Sequence, residues 1–164
     1  MIPRVGFGYD VHQFAPNRRL VICGIDVPYD FGLLGHSDAD VAVHALIDAL
    51  LGAAALGDIG TLFPDSDSKF KDIDSMLLLK ETLGRLFEQG FSIVNVDITI
   101  VAQEPKLKPF IPEMRAALAA VIGCPGDSVS VKATTTEHLG FTGRKEGIAS
   151  YAVASIYKTP FNKA

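Results

Sequence analysis

The sequence predicts an α+β fold, a single domain over residues 1–164 in which a mixed β-sheet carries helices packed on one face. Three observations lead there. Segments in which apolar and polar residues alternate, at 4–14, 91–102 and 128–136, are interleaved with segments whose apolar residues recur at helical spacing. The last run, "GIASYAVASIYK" at 147–158, is apolar or small on both faces, so helices should cover one side and another subunit the other. Finally, 164 residues at 48% hydrophobic and 21% charged can bury one sizeable core and are too few for two domains.

The opening "RVGFGYDVHQF" is rich in β-formers, and "RRLVICGIDVPY" continues with short strands joined through Asn17 and Gly24. Its Gly-x-Gly lacks the third glycine and the following helix of a dinucleotide fingerprint. The strongest helix lies in "HSDADVAVHALIDALLGAAALG", with a capping signal from Ser37 to Asp40 and a stop at Gly57. Val43, Leu46, Ile47, Leu50, Leu51 and Ala54 form its core-facing stripe, and Asp40, His44 and Asp48 run along the flank of that stripe. "GDIGTLFPDSDSKFKDID" reads as a loop that a ligand could order. A helix over "SMLLLKETLGRLFEQG" ends at Gly90, and the strand "FSIVNVDITIVA" places Val94, Val96, Ile98 and Ile100 on one face. A Pro-bounded loop, "AQEPKLKP", leads to the helix "FIPEMRAALAAVIG" with Pro112 in its first turn, and "SVSVKATTT" is a further strand.

A net charge of -4 argues against broad electrostatic capture of nucleic acid or of an anionic membrane, so the ligand is expected to be small. Cys23 and Cys124 fit no thiolate metal pattern and read as packed free thiols of a reducing compartment. The start "MIPRVGFGYD" has no long apolar run, and the expectation is a soluble, cytoplasmic chain.

The chemistry begins at "GYDVH". Residues i and i+2 leave a strand on the same face about 7 Å apart, so Asp10 and His12 point together while Val11 points away. With His44 on the sheet-facing flank of a helix, two histidines and a carboxylate can close on one ion and leave a fourth position open. That set suits a catalytic zinc, and iron(II) uses the same ligands. His36 and Ser37 stand just ahead of the helix, where unpaired N–H groups favour an anion, although Ser37 alone reads equally as a cap. "KATTTEHLGFTGRKEG" gathers Lys132, three threonines, Glu137, Arg144 and Lys145 at a strand end, a candidate phosphate cradle. Glu137 among anion binders suggests a hard cation such as Mg²⁺, the alternative being an ion pair with Arg144 or Lys132. No activated serine or cysteine arrangement appears, and these clamps suit phosphoryl transfer better than acyl transfer. A substrate that carries its own phosphate nucleophile would need positioning and charge neutralisation instead of a base.

"DVH", "HSDADVAVHALIDALLGAAALGDIG", "LFPDSD" and "KATTTEHLGFTGRKEGI" together resemble the 2-C-methyl-D-erythritol 2,4-cyclodiphosphate synthase family of the non-mevalonate isoprenoid pathway. The resemblance runs from the first strand to the last. It implies a lyase that converts 4-diphosphocytidyl-2-C-methyl-D-erythritol 2-phosphate to the cyclic diphosphate and releases CMP, the 2-phosphate attacking the β-phosphorus. It also implies that Asp10, His12 and His44 hold Zn²⁺, that Glu137 binds Mg²⁺ or Mn²⁺, and that His36 and Thr135 stabilise transition-state charge. Ser37 would contact phosphate; Asp58, Ile59, Gly60 and the loop Phe63, Pro64, Asp65, Ser66, Asp67 would hold the methylerythritol part. Ala102, Gln103, Glu104, Pro105, Lys106, Leu107 and Lys108, with Thr134 and Thr136, would receive cytidine and its phosphate. The family resemblance further implies a bacterial homotrimer whose sheets face one another and whose sites lie between subunits. Tyr9, Phe141, Arg144 and Glu146 would then border a central cavity able to take an isoprenoid diphosphate.

Overall fold

The opening β-formers make one long strand, β1 (Pro3–Pro16), in a computed structural model that describes residues 3–64 and 66–158. Cys23 and Gly24, both with positive φ, turn β2 (Leu20–Ile22) back onto β3 (Ile25–Val27) as a separate two-stranded sheet. The main sheet also contains β4 (Phe31–Leu33), β5 (Phe91–Val101), β6 (Val129–Thr134) and β7 (Gly147–Lys158), in the order β4-β1-β7-β5-β6. All its pairings are antiparallel except β5 with β6, so the sheet is mixed. Helices α1 (Val41–Ala54), α3 (Ser75–Glu88) and α4 (Ile111–Ile122) pack over one face and enclose one hydrophobic core; α2 (Ile59–Leu62) and α5 (Gly140–Gly143) are single turns. This is the expected α+β architecture. No helix among the described residues is long and apolar enough to cross a membrane, and Cys23 and Cys124 are free thiols.

Two glycines set how closely the first helix lies on the sheet. A Cβ at Gly6 would stand 1.8 Å from the Ala49 carbonyl oxygen, and one at Gly8 would stand 1.9 Å from that of Ala45. The backbone of α1 therefore rests directly on β1. Because Gly6, Gly8, Asp10 and His12 alternate onto one face, the contact that excludes a side chain at Gly8 continues into the acid and the imidazole.

Four details differ from the sequence expectation. The helix cap is Asp40, whose side chain accepts from the N–H groups of Ala42 and Val43, and Ser37 lies outside the helix because its hydroxyl is engaged elsewhere. The helix closes at Ala55 in the left-handed region, two residues before Gly57, with its N–H on the Gly52 and Leu51 carbonyls. Val94 leaves the buried face because the pairing of β5 with β7 slips between Ile93 and Asn95, so Val96, Ile98 and Ile100 alone are buried there. The segment expected to be a loop holds α2 and a short turn at Ser68–Phe70, anchored by Phe63 and Phe70, whose buried rings meet edge to face 5.3 Å apart.

Candidate metal and substrate site

Asp10 and His12 leave β1 together, and α1 delivers His44 above them. His12 Nε2 lies 2.9 Å from Asp10 Oδ2, His44 Nδ1 lies 3.1 Å from the same oxygen, and the two nitrogens are 3.2 Å apart. Ligands on a tetrahedral zinc at about 2.0–2.2 Å stand roughly 3.3 Å from one another, so the spacing already fits. The remaining ring nitrogens explain why. His12 Nδ1 donates to the Leu34 carbonyl at 2.7 Å, and His44 Nε2 lies 2.8 Å from Ser75 Oγ. A carbonyl can only accept, so neutral His12 turns its Nε2 lone pair toward the Asp10 oxygen, a meeting of two acceptors that a cation or an added proton resolves. Burial opposes charge on both members of the Asp10–His12 pair, yet their hydrogen bond and mutual attraction prevail. They hold the Asp10 carboxyl well below the usual carboxylate range and raise the His12 imidazole above its ordinary value.

A cleft of about 220 Å³ opens beside this trio, lined also by His36, Ser37, Ile59, Gly60 and Phe63. Among the other residues expected there, Asp58 caps α2 through the Thr61 N–H, and the Asp67 carbonyl lies 3.3 Å from His36 Nε2. Pro64 and Ser66 do not line the cleft, and Asp65 falls outside the described residues.

A second cleft, about 150 Å³, lies at the far side of the same sheet end and is lined by Ala102, Pro105, Lys106, Leu107, Lys108, Ala133, Thr134 and Thr135. Register locates it. His12 is level with Ile148, while Val101 and Thr134 are level with Ala149, so three strand spacings, about 14 Å, separate the clefts across the sheet. Gln103 is turned inward and accepts the His138 N–H, Glu104 pairs with Lys145 at 2.7 Å, and Thr136 bonds to the Leu139 carbonyl and Thr142.

The proposed cradle is not a set of free cations. Lys132 pairs with Asp97, Lys145 with Glu104 and Arg144 with Glu146, because each has an acid placed opposite by the sheet or the turn. Glu137 consequently meets neither Arg144 nor Lys132; its Oε1 accepts from Thr135 Oγ1 at 2.9 Å, and its backbone is left-handed. It does not join the trio. Phe141 and Glu146 line a third opening with Val11 and His12.

Sequence reasoning missed Gly6 and Gly8 as the seat of α1, the Leu34 carbonyl, and the hydroxyl of Ser75 with its partner Asp38. The glycines carried a signal, since both fall on the face of Asp10 and His12. Ser75 carried none, because its contact with His44 spans 31 residues.

The YgbB family model matches residues 3–157. The chain is 60% identical over 153 residues to the 2-C-methyl-D-erythritol 2,4-cyclodiphosphate synthase of Syntrophomonas wolfei, covering 93% of this chain and 98% of that one. Its structure is similar to that of the bifunctional IspDF from Campylobacter jejuni, with TM-score 0.93 and 46% identity over 96% of this chain and 43% of that one. It is also similar to IspF of Plasmodium falciparum, solved as a CDP complex, with TM-score 0.84 and 30% identity over 96% and 97% of the two chains.

Proposed function

The chain belongs to the YgbB family and is an enzyme that forms 2-C-methyl-D-erythritol 2,4-cyclodiphosphate in isoprenoid precursor synthesis, and from that premise we propose how its residues carry the reaction. In 4-diphosphocytidyl-2-C-methyl-D-erythritol 2-phosphate, an oxygen of the 2-phosphate attacks the β-phosphorus. The new P–O bond closes the ring as the bond from that phosphorus to the bridging oxygen breaks, and CMP leaves with the electron pair. No proton needs to move. The protein's task is to hold two anionic phosphates together and to offset their charge.

The observation that carries this reading is the convergence of Asp10 Oδ2, His12 Nε2 and His44 Nδ1. These three side chains would hold a divalent ion, Zn²⁺ by donor type, which would supply Lewis-acid charge for the β-phosphate. Glu137, exposed and free of Arg144 and Lys132, would hold Mg²⁺ or Mn²⁺ against the diphosphate. His36 and Thr135 face developing charge, and Ser37 contacts a phosphate. Asp58, Ile59, Gly60 and the segment from Phe63 to Asp67 hold the methylerythritol part. The cleft from Ala102 to Lys108, with Thr134 and Thr136, receives the cytidine portion, an assignment in keeping with the CDP complex of the Plasmodium falciparum relative.

Each cleft is below the roughly 300–1,000 Å³ of a typical ligand pocket. That shortfall supports a site assembled between copies, the metal cleft of one facing the cytidine cleft of the next. Val5, Phe7, Tyr9, Val11, Tyr151 and Val153 give the uncovered sheet face the apolar character that a homotrimer would bury. Phe141, Arg144 and Glu146 would then border its central cavity, where an isoprenoid diphosphate fits. We place the enzyme in the cytoplasm. Incubated with the cytidylyl substrate, Zn²⁺ and Mg²⁺, the protein should release CMP and cyclic diphosphate in equal amounts by phosphorus NMR. Linear hydrolysis products without the ring would contradict the mechanism.

A further inference from the structure

The proposed reaction uses His44 Nδ1 and leaves its other nitrogen unexplained. Nε2 faces the hydroxyl of Ser75, a fully buried residue at the first position of α3. That hydroxyl gives its own proton to Asp38 Oδ1. Asp38 is engaged only as an acceptor: Oδ2 receives the Ser75 N–H at 3.1 Å and Oδ1 the Asp40 N–H at 3.2 Å. A hydroxyl has one proton, and once Asp38 has taken it, Ser75 Oγ can meet an imidazole nitrogen only by accepting. Nε2 must then carry the ring's proton. Nδ1 is left with its lone pair aimed at Asp10 and His12. Ser37 Oγ, 3.1 Å from the same Nε2, cannot impose this polarity, because it accepts the Ala39 N–H and keeps its own proton free to turn either way.

We propose that Asp38 and Ser75 are positioning residues of the metal centre, acting through His44 to fix its Nε2–H tautomer and ring plane so that Nδ1 is the ligating atom. The assignment rests on the metal reading of the trio above. It ties the ring to two separate elements, the segment before α1 and the first turn of α3, and so couples the packing of α3 to the centre. Replacing Asp38 by Asn reverses the logic: an amide N–H donated to Ser75 Oγ frees the hydroxyl proton for Nε2 and favours the tautomer that cannot ligate through Nδ1.

The test loads the purified full chain with metal and reads the centre directly. Ser75→Ala and Asp38→Asn should each weaken Zn²⁺ binding about 10- to 100-fold in chelator competition and alter the visible absorption of the Co²⁺-loaded protein. A role confined to capping α3 would lower thermal stability and leave that spectrum unchanged, which would overturn the proposal. Wild-type protein with ¹⁵N-labelled histidine gives a readout that needs no variant to fold. Zn²⁺-loaded His44 should show a protonated Nε2 and a metal-shifted Nδ1, and the reverse assignment would overturn it equally. His44→Ala separates the two claims. If it leaves Zn²⁺ affinity intact, or if wild type takes up no ion, the metal reading fails and the positioning claim falls with it; if His44→Ala abolishes binding while Ser75→Ala and Asp38→Asn match wild type, only the positioning claim fails.

Discussion

Single atoms decide the chemistry at the trio. His12 commits one nitrogen to the Leu34 carbonyl and His44 one to Ser75, so neither imidazole is free to rotate away from Asp10. Asp40, one turn before His44, shows what a carboxylate does when it is buried for architecture instead. It receives N–H groups from Gly24, Ala42 and Val43, yet burial first and then the neighbouring Asp38 charge push its pKa up to about 6. The native state therefore holds this proton more tightly than the unfolded chain, whose aspartates titrate near 3.9. Between about pH 4 and 6 the contribution of Asp40 to stability falls as pH rises, and above that window it is constant. The carboxyl carbon of Asp40, followed by NMR, should titrate with a midpoint near 6; a midpoint below 4 would show that its N–H donors outweigh burial.

Among the elements, the pair that matters is β1 with α1. Gly8 admits the helix backbone, and any side chain there must displace it. Gly8→Ala should destabilise the fold by roughly 3 kcal/mol or more, above the usual overpacking range because the obstacle is backbone. It should also weaken Zn²⁺ binding by lifting His44 from Asp10 and His12. Gly84→Ala, in the middle of α3 with nothing within 4 Å of the added carbon, should instead stabilise by roughly 0.5–1 kcal/mol. Urea unfolding of both variants decides the matter, and a tolerated Gly8→Ala would contradict the close seating of the helix. Much of this pairing was legible in the sequence, since period-two alternation put Asp10 beside His12 and the helical stripe put His44 on their side. The boundaries of α1 were less so. Ser37 looks like a cap, but its hydroxyl is drawn to His44 and Ala39, and Asp40 takes the role. Lys132 and Lys145 looked like phosphate binders until the fold set Asp97 and Glu104 opposite them, tertiary facts with no local trace, whereas the partner of Arg144, Glu146, stands only two residues away.

For the molecule as a whole, the question is whether one chain can complete the site. Its two clefts lie on one sheet end but three strands apart, which favours completion by a neighbouring copy. His44→Ala removes a proposed metal ligand, and Ala133→Phe fills the cleft proposed for cytidine; each alone should be inactive. Assembled together at equal amounts, they should recover about one quarter of wild-type sites, because that share of random interfaces joins two intact halves. Failure of mixed assemblies to regain activity would mean that each chain builds its own site. Whether the trio is a metal centre is read most directly by anomalous scattering at the zinc edge from crystals of the Zn²⁺-loaded protein. One strong peak should appear, bound by Asp10 Oδ2, His12 Nε2 and His44 Nδ1 at about 2.0–2.2 Å. No peak there, or a peak held by other residues, would contradict the metal reading of the trio.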